Sequence, residues 1–447
     1  MLPQLRRQAR RGAALTVAVL LATGLAGCAP RGGRDTAATL DAAGERYARL
    51  ALALGRHDPD YVDSFYGPEE WKRAAERDTL SLGRIALEAD SLAAVLGGAG
   101  PPDRDELTTL RRRFIRRQLG AMSARARMLA GDTLSFDRES QALYDVVAPY
   151  TDDGVFAPAL ARLDSLLPGR GPLAERWENY RKAFIIPPAR LDTVFRAAIE
   201  EARRRTRAHV PLPDSESFVV EYVKHKPWGG YNWYQGGYRS LIQVNVDLPI
   251  YLDRALDLAC HEGYPGHHVN NVLMERALVR ERGWREFTLL PLFSPQGVIE
   301  EGAATVAPRV AFPGVERERF ERDVLCPLAG IDSVRYRSYV LIRDALDSLS
   351  MASIEGARRY LDHRLTREQA IRWLGEHALQ TPERARKSLS FDERYRSYVV
   401  NYGLGRRMVL AWLAANGGDD THPARRWELF GQLLATPRLP ADLRGSR

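Results

Sequence analysis

The stretch Cys260-His261-Glu262-Gly263-Tyr264-Pro265-Gly266-His267-His268 constrains this chain more than any other, because it cannot lie on one regular helix. In the pattern H-E-x-x-H, two histidines four residues apart share a helical face and bind Zn²⁺, while the glutamate after the first serves as general base. Here the residue four beyond His261 is Pro265. On a straight helix His267 would point roughly 240° away from His261, and His268 would return to that face only about 10.5 Å along the axis. Pro265 has no N–H for the carbonyl of His261, and Gly266 tolerates unusual dihedrals, so Pro-Gly is expected to loop out two residues. That returns His267 to the ligand position beside His261, with His268 as the second choice, and points to a zinc-dependent hydrolase with Glu262 as its base.

A third ligand is expected from Glu301. Ser294-Pro295 reads as a helix start, a capping residue followed by Pro at the first helical position, which puts Glu301 about two turns into a helix. A helix packed antiparallel on the first would bring that carboxylate to His261 and His267, leaving a fourth position open for water, as in catalytic sites. Zn²⁺ held there would lower the pKa of a bound water toward about 7, and Glu262 would take its proton and return it to the leaving group. Cys260 faces about 100° from His261 on a helix and reads as a buried thiol.

These residues resemble the bacterial domain-of-unknown-function 885 family, which belongs with the zincin-like metallopeptidases. Its hallmark H-E-x-x-P-G-H is met from His261 to His267. A second hallmark, E-G-W-A-x-Y-x-E, is met only by Glu301, Gly302 and Ala304; Ala303, Val306 and Pro308 stand where the family has an aromatic, a Tyr and an acid. The resemblance spans roughly residues 180 to 440 and is sharp around 220 to 302. It implies a mainly α, zincin-like metallopeptidase helical fold with a small β-sheet beside the metal-binding helix. It also implies peptide as substrate and, because the position after the last His varies in the family, His267 rather than His268 as ligand. Tyr402-Gly403-Leu404-Gly405 resembles a Tyr-x-x-Gly segment of the family, which makes Tyr402 the first candidate for stabilising an oxyanion, with His377 behind it. Without the resemblance, the residues support metal-assisted hydrolysis of a carbonyl compound.

The N-terminus carries a compartment signal. Arg6, Arg7, Arg10 and Arg11 precede an apolar run, Ala13 to Leu25, too short to span a bilayer, and Leu25-Ala26-Gly27-Cys28 resembles a bacterial lipobox. Residues 1–27 are expected to be a lipoprotein signal peptide, and Cys28 the lipidated first residue of a periplasm-facing protein of the cell envelope. The lack of Asp after Cys28 favours the outer membrane. Residues 28–36 read as a tether, 37–210 as a helical region and 211–447 as the zincin-like catalytic region.

Removing residues 1–27 takes away four arginines and no acids, so the formal charge falls from +8 to +4. That is unremarkable, and no nucleic-acid partner is expected. The runs Arg111-Arg112-Arg113 and Arg203-Arg204-Arg205 read as solvated helical faces. Cys260 and Cys326 have the option of pairing in an oxidising compartment. Runs 217–223 and 240–246 are β-rich, separated by a Gly/aromatic connection over 227–238. The resemblance to zincins implies that residues 240–246 lie along the cleft and bind extended substrate by strand addition. The echo of Arg335–Val340 in Arg394–Val399 reads as incidental. The rival function is a degenerate zincin, a noncatalytic binding or assembly lipoprotein.

Overall fold

The computed structural model describes residues 32–77, 79–98 and 103–444. The signal segment and Cys28 lie outside the described residues. Among the described residues the chain is mainly helical with two small sheets. Helix α1, Gly32–Gly55, begins inside the segment expected as a tether, so residues 32–36 are helical.

Helix α2, Glu106–Leu129, illustrates how the N-terminal region folds. Asp105 caps it by accepting from the Thr108 N–H at 2.7 Å, and Leu110, Phe114, Ile115, Leu119 and Met122 bury one stripe at three-and-four spacing. Each such side chain contributes roughly 1.5–3 kcal/mol. Arg111 lies among them, 3 % exposed, its guanidinium forked onto both carboxylate oxygens of Glu286 and also held by Asp41. The solvated-face reading of residues 111–113 therefore fails at Arg111, whose charge is carried into the core by a bidentate partner distant in sequence. In the second run Arg203 bonds Glu216, whereas Arg204 and Arg205 hold Glu201.

No break in packing falls near residue 210. One apolar cluster runs from Leu40 to Leu443, and strand β1, Val62–Phe65, pairs antiparallel with β5, Leu289–Pro291. The N-terminal region thus forms part of the wall around the candidate site.

The second sheet contains β2, Ser217–Val223, β3, Gly230–Gly236, and β4, Arg239–Asn245, in the order β2-β4-β3. Strand β2 runs parallel to β4, and β3 antiparallel. The Gly/aromatic connection is thus largely a strand; Gly236 and Gly237, at φ of 74° and 64°, turn the chain from β3 into β4. Strand β4 is central, with both backbone edges bonded, so the expected strand addition along 240–246 is corrected: an edge must be open to accept another strand.

Candidate metal centre

The metal-motif segment is not one helix with a bulge but two helices with a break between them. Helix α3, Leu252–Leu258, widens into a π turn over Ala259–Gly263, and helix α4 starts at His267 and runs to Met274. The Tyr264 N–H donates to Ala259 O at 3.0 Å, the Gly266 N–H to Cys260 O at 2.9 Å, and the Asn270 N–H to Gly266 O at 3.0 Å. Donors on either side of Pro265 thus find carbonyls although Pro265 offers none. Only glycine fits at 266, since a Cβ there would stand 1.9 Å from His261 O. The expectation that Pro-Gly returns His267 to His261 holds, by ending one helix and starting another.

The sheet fixes both helices. Asn232 on β3 donates its Nδ2 to Glu262 O at 2.7 Å, and Ser240 on β4 lies 2.9 Å from His268 Nδ1. His268 is wholly buried, with Nε2 at 3.1 Å from Glu216 and its ring edge-on to Phe218 and Tyr264. Burial holds its imidazole below the ordinary value. A neutral ring has one donor and one acceptor; Nε2–H serves Glu216 and Nδ1 accepts from Ser240. Burial works against ionisation of Glu216, yet hydrogen bonds from His268, Tyr264, Arg203 and Arg207 bring it down to about 2. His268 therefore belongs to a buried polar network, and its neighbour faces the cleft.

Helix α5, Gln296–Ala311, carries Glu301 and starts within a residue of the Ser294-Pro295 signal. It crosses helix α6, Val400–Ala415, at a glycine pair: a Cβ on Gly302 would lie 2.5 Å from Gly405 C, and one on Gly405 would lie 2.5 Å from Val298 O. This close approach sets Tyr398 and Tyr402 beside Glu301. The Tyr398 hydroxyl donates to Glu301 Oε1 at 2.7 Å, which turns Oε2 toward the histidines.

Oε2 of Glu301 lies 3.2 Å from His261 Nε2 and 3.7 Å from His267 Nε2. Ligand atoms of all three residues fall within 4.8 Å of one another. Oε2 is buried yet makes no hydrogen bond of acceptable geometry. Ligands held tetrahedrally at about 2.0–2.1 Å lie about 3.4 Å apart, a value that the two carboxylate–imidazole separations bracket, and a donor set of two imidazoles and one carboxylate oxygen suits zinc. Burial opposes the charge on Glu301, but the two imidazoles hold its carboxyl far below the usual range. Burial also draws His267 down, and the neighbouring Glu301 carboxylate outweighs that, raising it to about 9. A cation taking this place displaces the proton held by the pair.

Glu262 is 4 % exposed and is not one of the three. Its carboxylate packs close on Gly230 of β3, where a Cβ would stand 2.5 Å from Oε1. The Tyr402 ring lies 6.5 Å from that of His261, and burial together with the charges of Glu301 and Glu262 raises its phenol. His377 is elsewhere, stacked on Trp373 at 4.4 Å with Nδ1 3.0 Å from Trp373 O, and does not line the cleft. The backup role given to His377 is therefore corrected; an aromatic stack and a local carbonyl hold it on its own helix. Cys260 and Cys326 are both buried and free.

His261, Glu262, His267, Glu301, Tyr398 and Tyr402 line a cleft of about 1810 Å³. This exceeds the roughly 300–1000 Å³ of small-molecule sites and leaves room for several residues of an extended substrate. Sequence reasoning missed Tyr398, although it lies four residues before Tyr402 and within the hexapeptide echo. It also missed Asp63 and Glu300, which line the same cleft; burial pushes their carboxyls up to about 6 and about 7. A four-residue strand offers no signal for Asp63.

No family model matches the chain, and no curated protein matches it. Among solved structures it is similar to a candidate lipoprotein from Colwellia psychrerythraea at 15% identity and a TM-score of 0.48, over 89% of this chain and 73% of that one. It is also similar to a candidate lipoprotein of unknown function from Shewanella oneidensis, at 13% identity and a TM-score of 0.38, over 81% and 75% of the two chains.

Proposed function

We propose that the protein is a zinc-dependent hydrolase of the zincin-like kind, a peptidase. The observation that carries this reading is the convergence of His261, His267 and the unpartnered Oε2 of Glu301 in a large cleft, with Glu262 buried beside them. Zinc bound by these three supplies a Lewis acid that polarises a substrate carbonyl and acidifies water. Glu262 takes the proton of the attacking water and delivers it to the leaving amine. Tyr402, beside His261, donates its phenolic hydrogen toward the developing oxyanion. Tyr398 keeps Glu301 oriented. We expect about one zinc per mature chain by metal analysis. Digestion of a broad peptide library should be abolished by a chelator and restored by zinc. A chain that binds zinc and cleaves nothing would instead support a binding module, a reading favoured by the loss of the acid at Pro308.

We also propose that Cys28 is lipidated and anchors the protein to the cell envelope, facing the periplasm. The supporting observations are the basic start, the short apolar run and the segment Leu25–Cys28. Among the described residues no helix is long and apolar enough to cross a membrane. Cys28→Ser should accumulate unprocessed precursor and lose the acyl mass of the mature N-terminus. Normal processing with unchanged membrane fractionation would rule the anchor out.

A further inference from the structure

Arginine is the dominant cation of this chain, and in the cleft it is nearly always committed. Arg309, Arg317, Arg343, Arg394 and Arg406 hold Asp420, Asp257, Glu321, Asp60 and Asp347 respectively. Arg254 is different. It is exposed on α3, lines the same cleft as His261, Glu262 and Tyr402, and makes no hydrogen bond or ion pair among the described residues. Its near neighbour in sequence, Asp257, is bonded to Arg317 at 2.8 Å and feels the charge of Arg254 with no hydrogen bond or ion pair between them. The guanidinium lies beside Gly229, where a Cβ would be in ordinary contact with it at 3.6 Å. An uncommitted guanidinium presents a planar fork of donors matched to a carboxylate.

Its position relative to the metal centre is set by the helix. Arg254 precedes His261 by seven residues, the first four steps in α3 and the rest in the π turn, which is roughly 10 Å along the axis and about the length of three extended residues. Arg254 lines the same cleft, so a substrate group bound there lies on the α3 side of the metal centre.

We propose that Arg254 binds a carboxylate of the substrate lying within about three residues of the scissile bond. The carboxylate is either the C-terminal one or that of an acidic side chain, and in both cases Arg254 sets how the substrate is placed across the metal centre. This rests on the hydrolase reading, so the test measures binding without turnover. Zinc-loaded Glu262→Gln protein is titrated calorimetrically with acetyl-Ala-Ala-Phe as the free acid, with its C-terminal amide, and with acetyl-Ala-Glu-Ala amide. At least one carboxylate-bearing peptide should bind about tenfold or more tightly than the neutral amide. Which one does so identifies the source of the carboxylate. Adding Arg254→Ala should erase the preference and Arg254→Lys should keep part of it, with zinc content and Tm unchanged because the side chain is exposed. Equal binding of all three peptides, or a preference that survives Arg254→Ala, overturns the proposal. A preference lost with Arg254 in a protein whose wild type cleaves no peptide removes the hydrolase reading and leaves the carboxylate site standing.

Discussion

Glu262→Gln should retain its full complement of zinc and lose about a hundredfold or more in kcat. The substitution keeps the size of the side chain, so the tight fit against Gly230 survives, and the bond from Asn232 reaches only the main-chain oxygen of residue 262. What disappears is basicity. Glu262 stands apart from the three converging ligand atoms, so the metal should not register its loss. Metal analysis together with turnover of the best library peptide makes the comparison. Cleavage by Glu262→Gln at the wild-type rate would remove Glu262 from the mechanism, and loss of zinc with loss of turnover would recast it as a ligand.

The second large effect comes from adjacent histidines with opposite jobs. His267→Ala should lose stoichiometric zinc while the protein stays folded, since the side chain faces the cleft and its partner there is Glu301. His268→Ala should keep zinc in the folded fraction but lower stability by about 3 kcal/mol. It opens a cavity beside Phe218 and Tyr264 and deprives Ser240 and Glu216 of a partner. Urea unfolding and metal content of the two variants separate the roles. Zinc persisting in His267→Ala but absent from His268→Ala would reverse the assignment.

How far such roles are legible in the chain depends on whether their cause is local. The displacement of His267 by Pro265-Gly266 could be read because a missing N–H and a missing Cβ act within a few residues. The helix bearing Glu301 announced itself through Ser294-Pro295, and strand β2 through its run of β-branched residues. The detailed route through a π turn was not legible, because it depends on where neighbouring elements press on Ala259–Gly263. The strand inside residues 227–238 was hidden by its glycines, which read as turn residues although Gly230 packs close on the Glu262 carboxylate. Arg111 was misread for a related reason: its partner Glu286 is 175 residues away, and no local pattern reports a pairing of that kind. Asp63 reaches the cleft through the β1–β5 pairing, a tertiary event with no sequence periodicity.

The crossing of α5 and α6 at Gly302 and Gly405 sets an order of events in the life of the chain. His261, His267 and Glu301 have all been synthesised by residue 301, yet the carboxylate is turned toward the imidazoles by Tyr398, 97 residues later, and held in place by a glycine contact later still. A nascent chain short of that point carries two histidines and a freely rotating acid. On the proposed reading, selective capture of a metal waits until residues 398 to 405 have been made, and a product truncated before them would lack a finished site.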